Sequence, residues 1–196
     1  MWWYPSSVPL VLASRSPRRK SILEMAGIPF VQIPGDVKEV PMEGAPGEVV
    51  LHWARRKARS VLPKSLGRPV LGADTMVAQE GCLLGKPRDE DHAFEIISRL
   101  SGRWHSVFGG VSVLWPEKDI ELGFHHETRV LFRELEPHEI RAYISTGEPM
   151  DKAGAYGIQG YGCMLVDSIR GCYFNVMGLP VSRFVHEFRK MLLERR

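Results

Sequence analysis

The sequence has few cysteines, no long apolar run and only a small excess of positive charge. Its three cysteines, Cys82, Cys163 and Cys172, form no Cys-x-x-Cys pair, so we expect free thiols in a reducing compartment rather than a disulfide framework. No apolar run approaches the roughly 20 residues that a membrane span needs. The formal net charge of +3 argues against a dedicated nucleic-acid binder.

Several motifs of common enzyme classes are also missing. The chain has neither a Gly-x-Ser-x-Gly elbow nor a Walker-type loop, and its His and Cys positions show no metal-ligand spacing. The start Met1–Pro5 lacks the basic segment and long apolar core of a signal peptide. With 196 residues, the chain is expected to form one domain, or two small lobes that share a core. Because the sequence shows neither a signal peptide nor a membrane span, we expect a soluble cytoplasmic protein.

The junction between the first predicted strand and helix is the most informative segment. The run Val8–Ala13 has the composition of a buried strand, and Ser16 followed by Pro17 is typical of a helix start. Three cations, Arg18–Lys20, then fall in the first turn, where the helix dipole disfavours positive charge. Free amides and guanidinium groups together would bind a phosphate; the alternative is a solvated basic turn.

The rest of the chain mixes helical and strand patterns. We expect an α/β fold, in which a mixed sheet is flanked by helices. The predicted helices span residues 46–62, 89–100, 137–146 and 180–194. The predicted strands span 69–73, 106–115, 120–131 and 164–169, and residues 76–85 form a hairpin that turns at Glu80-Gly81.

Four polar residues at separate places in the sequence are considered as candidates for chemistry. Asp74 follows the apolar run 69–73, where a carboxylate binds a divalent cation, accepts a proton from water, or merely caps a turn. Lys57 lies on or beside the apolar face of its helix, where it either snorkels or reaches into a cleft. Lys86 is held extended by the following Pro87, and Glu39 lies in a loop and indicates little by itself.

A glycine-rich loop, Asp151–Gly162, precedes the last predicted strand. Its small residues would allow the backbone to approach a ligand closely, and Gln159 can both donate to and accept from a base edge. Glycine-rich loops alone are a weak signal, because most of them only turn the chain.

Six motifs in order resemble those of the Maf family of nucleoside triphosphate pyrophosphatases. They are Ser14-x-Ser16-Pro17-Arg18-Arg19, Gly72-Ala73-Asp74-Thr75, Gly85-Lys86-Pro87, Leu100-Ser101-Gly102-Arg103-x-His105, Asp151-Lys152-Ala153-Gly154-Ala155-Tyr156-Gly157-Ile158-Gln159-Gly160 and Asn175-Val176-x-Gly178-Leu179-Pro180. The similarity runs from about Val8 to the last helix, and the ten-residue glycine-rich stretch is its most specific part.

The resemblance implies an inosine-triphosphatase-like fold with two lobes around a central cleft. Residues 8–196 would form this single domain, with residues 1–7 as an extension, and the protein would be a homodimer. The implied reaction is hydrolysis of a nucleoside triphosphate to the monophosphate and pyrophosphate with a divalent cation, Mg²⁺ or Mn²⁺. The glutamine-containing loop is similar to that of the branch associated with dTTP and UTP, so we expect these or modified pyrimidine triphosphates as substrates.

The resemblance also assigns roles to residues by their motif positions. Asp74 matches the proton acceptor and, with Glu39, would hold the metal; Lys57 and Lys86 complete the expected catalytic set. The expected substrate-binding residues are Ser16, Arg18, Arg19, Thr75 and Gln159, among which Arg18, Thr75 and Gln159 are associated with substrate choice. We expect no binding to nucleic acid or membranes.

Two departures from the family pattern and two rival functions stay open. Val107-Phe108-Gly109 stands where many members have a threonine before the Gly-Val pair, and Lys38 replaces an acid before Glu39, which could weaken metal binding.

One rival is a regulator linked to septum formation that binds a nucleotide without hydrolysing it. The other is a single-stranded nucleic-acid binder using arginine and tryptophan. The Trp2-Trp3-Tyr4 cluster is expected only to pack against the last helix.

Overall fold

Seven strands, six α-helices and five short 3₁₀ helices make up the regular structure of the residues described by the computed structural model, Tyr4 and 7–194. The strands are β1 (Leu10–Leu12), β2 (Phe30–Gln32), β3 (Val70–Gln79), β4 (Cys82–Leu84), β5 (Trp104–Trp115), β6 (Ile120–Phe132) and β7 (Val166–Arg170). The helices are α1 (Pro17–Met25), α2 (Pro46–Val61), α3 (Glu90–Leu100), α4 (Pro137–Ser145), α5 (Tyr173–Met177) and α6 (Val181–Glu194).

The strands form one sheet of mixed direction, as the sequence predicts. Their order is β2-β1-β3-β5-β6-β7, and β4 pairs with β3. β1 is parallel to both β2 and β3, whereas the pairs β3–β4 and β6–β7 are antiparallel. The α/β class expected from the sequence is confirmed.

The chain divides into two units, and three long strands contribute residues to both. The first unit consists of Met1–Asp74, Gly109–His126 and Gly178–Arg196, and the second of Thr75–Phe108 and Glu127–Met177. Among the described residues, no helix combines the length and apolar composition required to cross a membrane.

In the first unit, α2 packs closely on the sheet because two strand residues lack side chains. A Cβ atom at Gly72 of β3 would overlap the carbonyl oxygen of Ala54, and one at Gly110 of β5 would overlap the carbonyl oxygen of Val50. The apolar face of α2 is buried there, with Ala58 and Val61 in a cluster that includes strand residues. This close packing sets the position of the polar residues on α2, Lys57 among them.

The second unit has its own core, to which α3 and α4 contribute. The two helices contact each other, and their buried residues pack with strand residues such as Val130 and Phe132. The hairpin β3–β4 turns at Glu80 (φ 50°) and Gly81 (φ 78°), the positive φ pair of a tight two-residue hairpin turn. The turn predicted at these residues is confirmed.

The structure corrects several predicted boundaries. The strand predicted over 69–73 does not end before Asp74: β3 continues through it to Gln79, because the second half of the strand pairs with β4. The strand β2 and the short helix α5 were not predicted, since three and five residues are too few to show a periodic pattern. Tyr4 packs against Phe188 of α6 with ring centroids 6.1 Å apart, as expected; Trp2 and Trp3 lie outside the described residues.

Candidate active site

The start of α1 has the capped geometry that the sequence predicts. Ser16 is the N-cap, and its side-chain oxygen accepts a hydrogen bond from the Arg19 amide at 3.4 Å. The Ser14 Oγ in turn accepts from the Ser16 amide at 3.2 Å. Arg18 is partly exposed, and Lys20 forms an exposed ion pair with Glu24 at 3.6 Å.

Arg19 is buried in the first unit rather than solvated. Its Nε donates to the carbonyl oxygen of Gly178 at 2.9 Å, and its Nη1 donates to Ser14 Oγ at 3.1 Å. Burial lowers the pKa of Arg19, and the negative charge of Asp74 opposes this change. The solvated-turn alternative therefore does not hold for Arg19, whose cation is held in place by the nearby Ser14 and by Gly178 from a distant part of the chain.

Lys57 joins two carboxylates that the sequence did not place together. Its Nζ lies 2.6 Å from Asp74 Oδ1 and 2.6 Å from Glu39 Oε1. The Lys57 side chain is 16% exposed, that of Asp74 6% and that of Glu39 47%. The Lys57 ammonium therefore contacts two carboxylates instead of snorkelling to water; that it reaches into a cleft stays a prediction.

Asp74 lies inside β3, so it caps neither a helix nor a turn. Its second carboxylate oxygen, Oδ2, is buried and has no hydrogen-bond partner among the described residues. Burial raises the pKa of the Asp74 carboxyl, while the nearby charges of Lys57 and Arg19 oppose the rise. A carboxylate oxygen without a partner is costly in a buried place, which indicates that Oδ2 is reserved for a ligand or water.

The carboxylates of Asp74 and Glu39 fit a hard divalent cation that shares its coordination with other oxygens. Magnesium is commonly bound by one or two carboxylates plus substrate phosphates and water. Within residues 4 and 7–194, no group of three or more His, Cys, Asp or Glu side chains is arranged to hold a metal. This donor set therefore suits a cation that arrives with a phosphate ligand, and it does not form a complete protein cage.

The remaining predicted site residues belong to the second unit. Thr75 follows Asp74 on β3 and is partly buried; Lys86 and Gln159 are exposed. The amide of Gly154 donates to the carbonyl oxygen of Gly85 at 3.0 Å. This bond joins the glycine-rich loop to the segment that carries Lys86, an association that the sequence did not predict.

Sequence reasoning also missed residues that hold the candidate side chains in place. Ser14 and Gly178 orient Arg19, and Glu148 accepts hydrogen bonds from the glycine-rich loop. Ser14 and Gly178 both fall within the motifs quoted above, so their place in the motifs was a signal although it gave no role. Glu148 lies outside those motifs and had no such signal.

Comparison with known proteins agrees with these motifs. The family model described as "Maf-like protein" matches residues 9–191. A dTTP/UTP pyrophosphatase of Bacillus cereus (strain AH820) is 44% identical over 186 residues, which cover 94% of this chain and 96% of that protein. A dTTP/UTP pyrophosphatase of Bacillus anthracis (strain CDC 684 / NRRL 3495) is 43% identical over 186 residues, with the same coverage of 94% and 96%.

Among solved structures, the Staphylococcus aureus Ham1 protein is similar with a TM-score of 0.44 and 14% identity, covering 79% of this chain and 77% of that one. The family model and the relatives each cover most of the sequence. The chain belongs to the Maf family.

Proposed function

We propose that this protein is a pyrophosphatase that hydrolyses dTTP and UTP, or modified pyrimidine triphosphates, to the monophosphate and pyrophosphate. The names of its relatives support the proposal, because they are 43–44% identical to it over nearly the whole chain. The observation that carries the proposal is that the carboxylates of Asp74 and Glu39 both contact the Lys57 ammonium. One oxygen of Asp74 is also buried without a hydrogen-bond partner among the described residues.

Asp74 is the proposed proton acceptor. A water beside Oδ2 would be oriented for attack on the α-phosphorus, and its proton would pass to the carboxylate. The new bond joins the water oxygen to the α-phosphorus, and the bond from that phosphorus to the bridging oxygen of the β-phosphate breaks. The burial that raises the pKa of Asp74 makes its carboxylate a better proton acceptor than an exposed aspartate.

Asp74 and Glu39 are the residues that would hold a divalent cation, Mg²⁺ or Mn²⁺. When bound, the cation would offset the charge on the phosphate oxygens. Lys57 contacts both carboxylates, so its ammonium keeps two negative groups close to each other. It would also attract the triphosphate into the same place.

Positively charged and polar side chains of the quoted motifs are proposed to bind the substrate. Arg19 offers a buried, fixed positive charge at the start of α1, while Arg18 and Lys86 are more accessible. Ser16 begins the helix whose first amides suit a phosphate. Thr75 and Gln159 are the proposed readers of the pyrimidine.

Four expectations from the sequence remain predictions: the single domain over residues 8–196, the homodimer, the cytoplasmic location, and the lack of binding to nucleic acid or membranes. Light scattering of the purified protein tests the dimer directly. The rival regulator and the nucleic-acid binder are not favoured by a specific feature of the structure, and both become outcomes of the activity test.

The test measures pyrophosphate release from canonical and modified nucleoside triphosphates, with and without Mg²⁺ or Mn²⁺. We expect metal-dependent release from dTTP and UTP, and a kcat at least about 100-fold lower in Asp74→Asn, since a general base contributes about that much. Asp167→Asn, at an exposed position of the second unit, is the charge-matched control and should keep full activity.

Two results would contradict the proposal. Near-normal turnover by Asp74→Asn would show that Asp74 is not the proton acceptor. Nucleotide binding without release of pyrophosphate from any triphosphate would favour the regulator instead.

A further inference from the structure

Glu148, just after α4, accepts three hydrogen bonds through one carboxylate. The hydroxyl of Tyr143 donates to Oε1 at 3.0 Å, and the amide of Gly162 donates to the same oxygen at 3.1 Å. The amide of Tyr161 donates to Oε2 at 2.9 Å. Two of the three donors are backbone groups of the glycine-rich loop, so this carboxylate binds the loop itself.

Tyr143 holds the other end of the same loop segment. Its ring is buried in the core of the second unit, and its hydroxyl accepts a hydrogen bond from the Gly157 amide at 3.3 Å. The hydroxyl thus donates to Glu148 and accepts from Gly157. Segment 157–162 is therefore tied at its start by Tyr143 and at its end by Glu148, and Gln159 lies between the two ties.

Two glycines allow the segment to close around the carboxylate. Gly160 has φ +66°, and a Cβ there would overlap Glu148 Oε2. A Cβ at Gly162 would overlap the carbonyl oxygen of Gly157. The backbone thus approaches both itself and Glu148 closely, and Gln159, just before Gly160, is exposed.

We propose that Glu148 is a positioning residue that sets the substrate preference by fixing the backbone on either side of Gln159. The proposal rests on the proposed function, in which Gln159 reads the pyrimidine. A glycine-rich loop loses much conformational entropy when it becomes ordered. Because Glu148 and Tyr143 order the loop before substrate arrives, binding of dTTP does not have to meet that cost.

The chemistry of the site requires a carboxylate rather than an amide. Three donors converge on Glu148, and only a carboxylate offers acceptor oxygens on both sides. In Glu148→Gln, one oxygen becomes an NH₂ group that faces a backbone or hydroxyl donor. The variant therefore keeps the size of the side chain and breaks at least one tie to the loop.

The first test compares Glu148→Gln with Glu95→Gln, a control at an exposed position of α3 in the same unit. Steady-state kinetics are measured for dTTP and for dGTP. We expect the KM for dTTP to rise about tenfold in Glu148→Gln, since a charge-assisted hydrogen bond is lost. The kcat for dTTP should stay within about twofold because Asp74 is untouched, and the preference for dTTP over dGTP should fall.

The second test is amide hydrogen exchange in the protein without nucleotide. Exchange at Tyr161 and Gly162 should become faster in Glu148→Gln. In Tyr143→Phe, which removes only the hydroxyl, Gly157 should become faster. Glu95→Gln should leave all three amides unchanged.

An unchanged dTTP preference together with unchanged exchange would overturn the proposal. An equal fall in activity on both substrates, with a lower melting temperature, would also overturn it, because it would indicate a purely structural role. If the wild type released no pyrophosphate, the proposed function would be wrong. Glu148 would then be judged on loop exchange and on calorimetric binding of dTTP and dGTP, and unchanged values would reject its role.

Discussion

Replacing Lys57 by methionine removes the cation that both Asp74 and Glu39 contact, and the stability of the protein should respond strongly. The Asp74 side chain is only 6% exposed, and its Oδ1 lies 2.6 Å from Lys57 Nζ. Removing one partner of a buried pair typically costs about 3–5 kcal/mol, because the remaining charge is uncompensated. We expect about 3 kcal/mol, near the lower end of that range, since the charge of Arg19 still favours the ionised Asp74.

The assay is urea unfolding at about pH 8 with a metal chelator, so that only the side chains differ between variants. Asp74→Asn should cost less than Lys57→Met, because Lys57 keeps its contact with Glu39 and the change removes a charge whose ionised form burial disfavours. The double variant Lys57→Met/Asp74→Asn should lie within about 1 kcal/mol of the wild type, which gives a large coupling energy in the double-mutant cycle.

Lys20→Met breaks an exposed pair with Glu24 instead and is the control. Its effect should stay within about 0.5 kcal/mol, as is usual for surface ion pairs. The reasoning is refuted if Lys57→Met is as stable as this control, or if the double variant is as unstable as the sum of the two single changes.

Two further predictions concern the cores of the two units. Burial lowers the pKa of His105 to about 4 from 6.5, so the folded state binds fewer protons between these values and loses stability as the pH falls through them. The free energy of unfolding should fall by about 3 kcal/mol between about pH 7.5 and about pH 4. His105→Gln should lose less stability over the same range. An identical loss in this variant would refute the assignment of the pH dependence to His105. Gly72→Ala would push a methyl group into the Ala54 carbonyl and should lower the free energy of unfolding in urea by about 1–3 kcal/mol. Gly85→Ala is the control, because a Cβ there faces open space, and it should cost much less. Equal effects of the two changes would contradict the close packing of α2.

Local signals in the sequence predicted the starts and turns of the elements well. The Ser16-Pro17 pair predicted the start of α1, because a side-chain cap followed by proline needs no partner elsewhere in the chain. Glu80-Gly81 predicted the hairpin turn for the same reason. Both features depend on neighbouring residues alone, so a single sequence contains them.

The course of β3 was predicted only in part, because a distant pairing decides it. The sequence predicted that the strand ends at Asp74 and Thr75, since aspartate is rare inside strands. The strand continues because Val77, Ala78 and Gln79 pair with β4. Tertiary pairing therefore outweighs the local preference of Asp74, and it leaves that carboxylate buried in the sheet.

The association of the site residues could not be read from the sequence without a family resemblance. Lys57 lies 17 residues before Asp74, and only the close approach of α2 to Gly72 lets its ammonium reach the strand. Glu39 is in an irregular loop that has no periodic pattern. Glu148 follows a predicted helix and belongs to none of the quoted motifs, and its hydrogen bonds to Tyr161 and Gly162 arise only when the loop folds back onto it.

Hydrolysis of dTTP in oxygen-18 water with Mg²⁺ or Mn²⁺ tests the central claim most directly, because it locates the bond that breaks. Attack on the α-phosphorus by a water held at Asp74 predicts that the label enters the monophosphate and not the pyrophosphate. Asp74→Asn should incorporate almost none over the same time, with dTTP remaining intact. Label in pyrophosphate or in free phosphate, or full incorporation into the monophosphate by Asp74→Asn, would contradict the account.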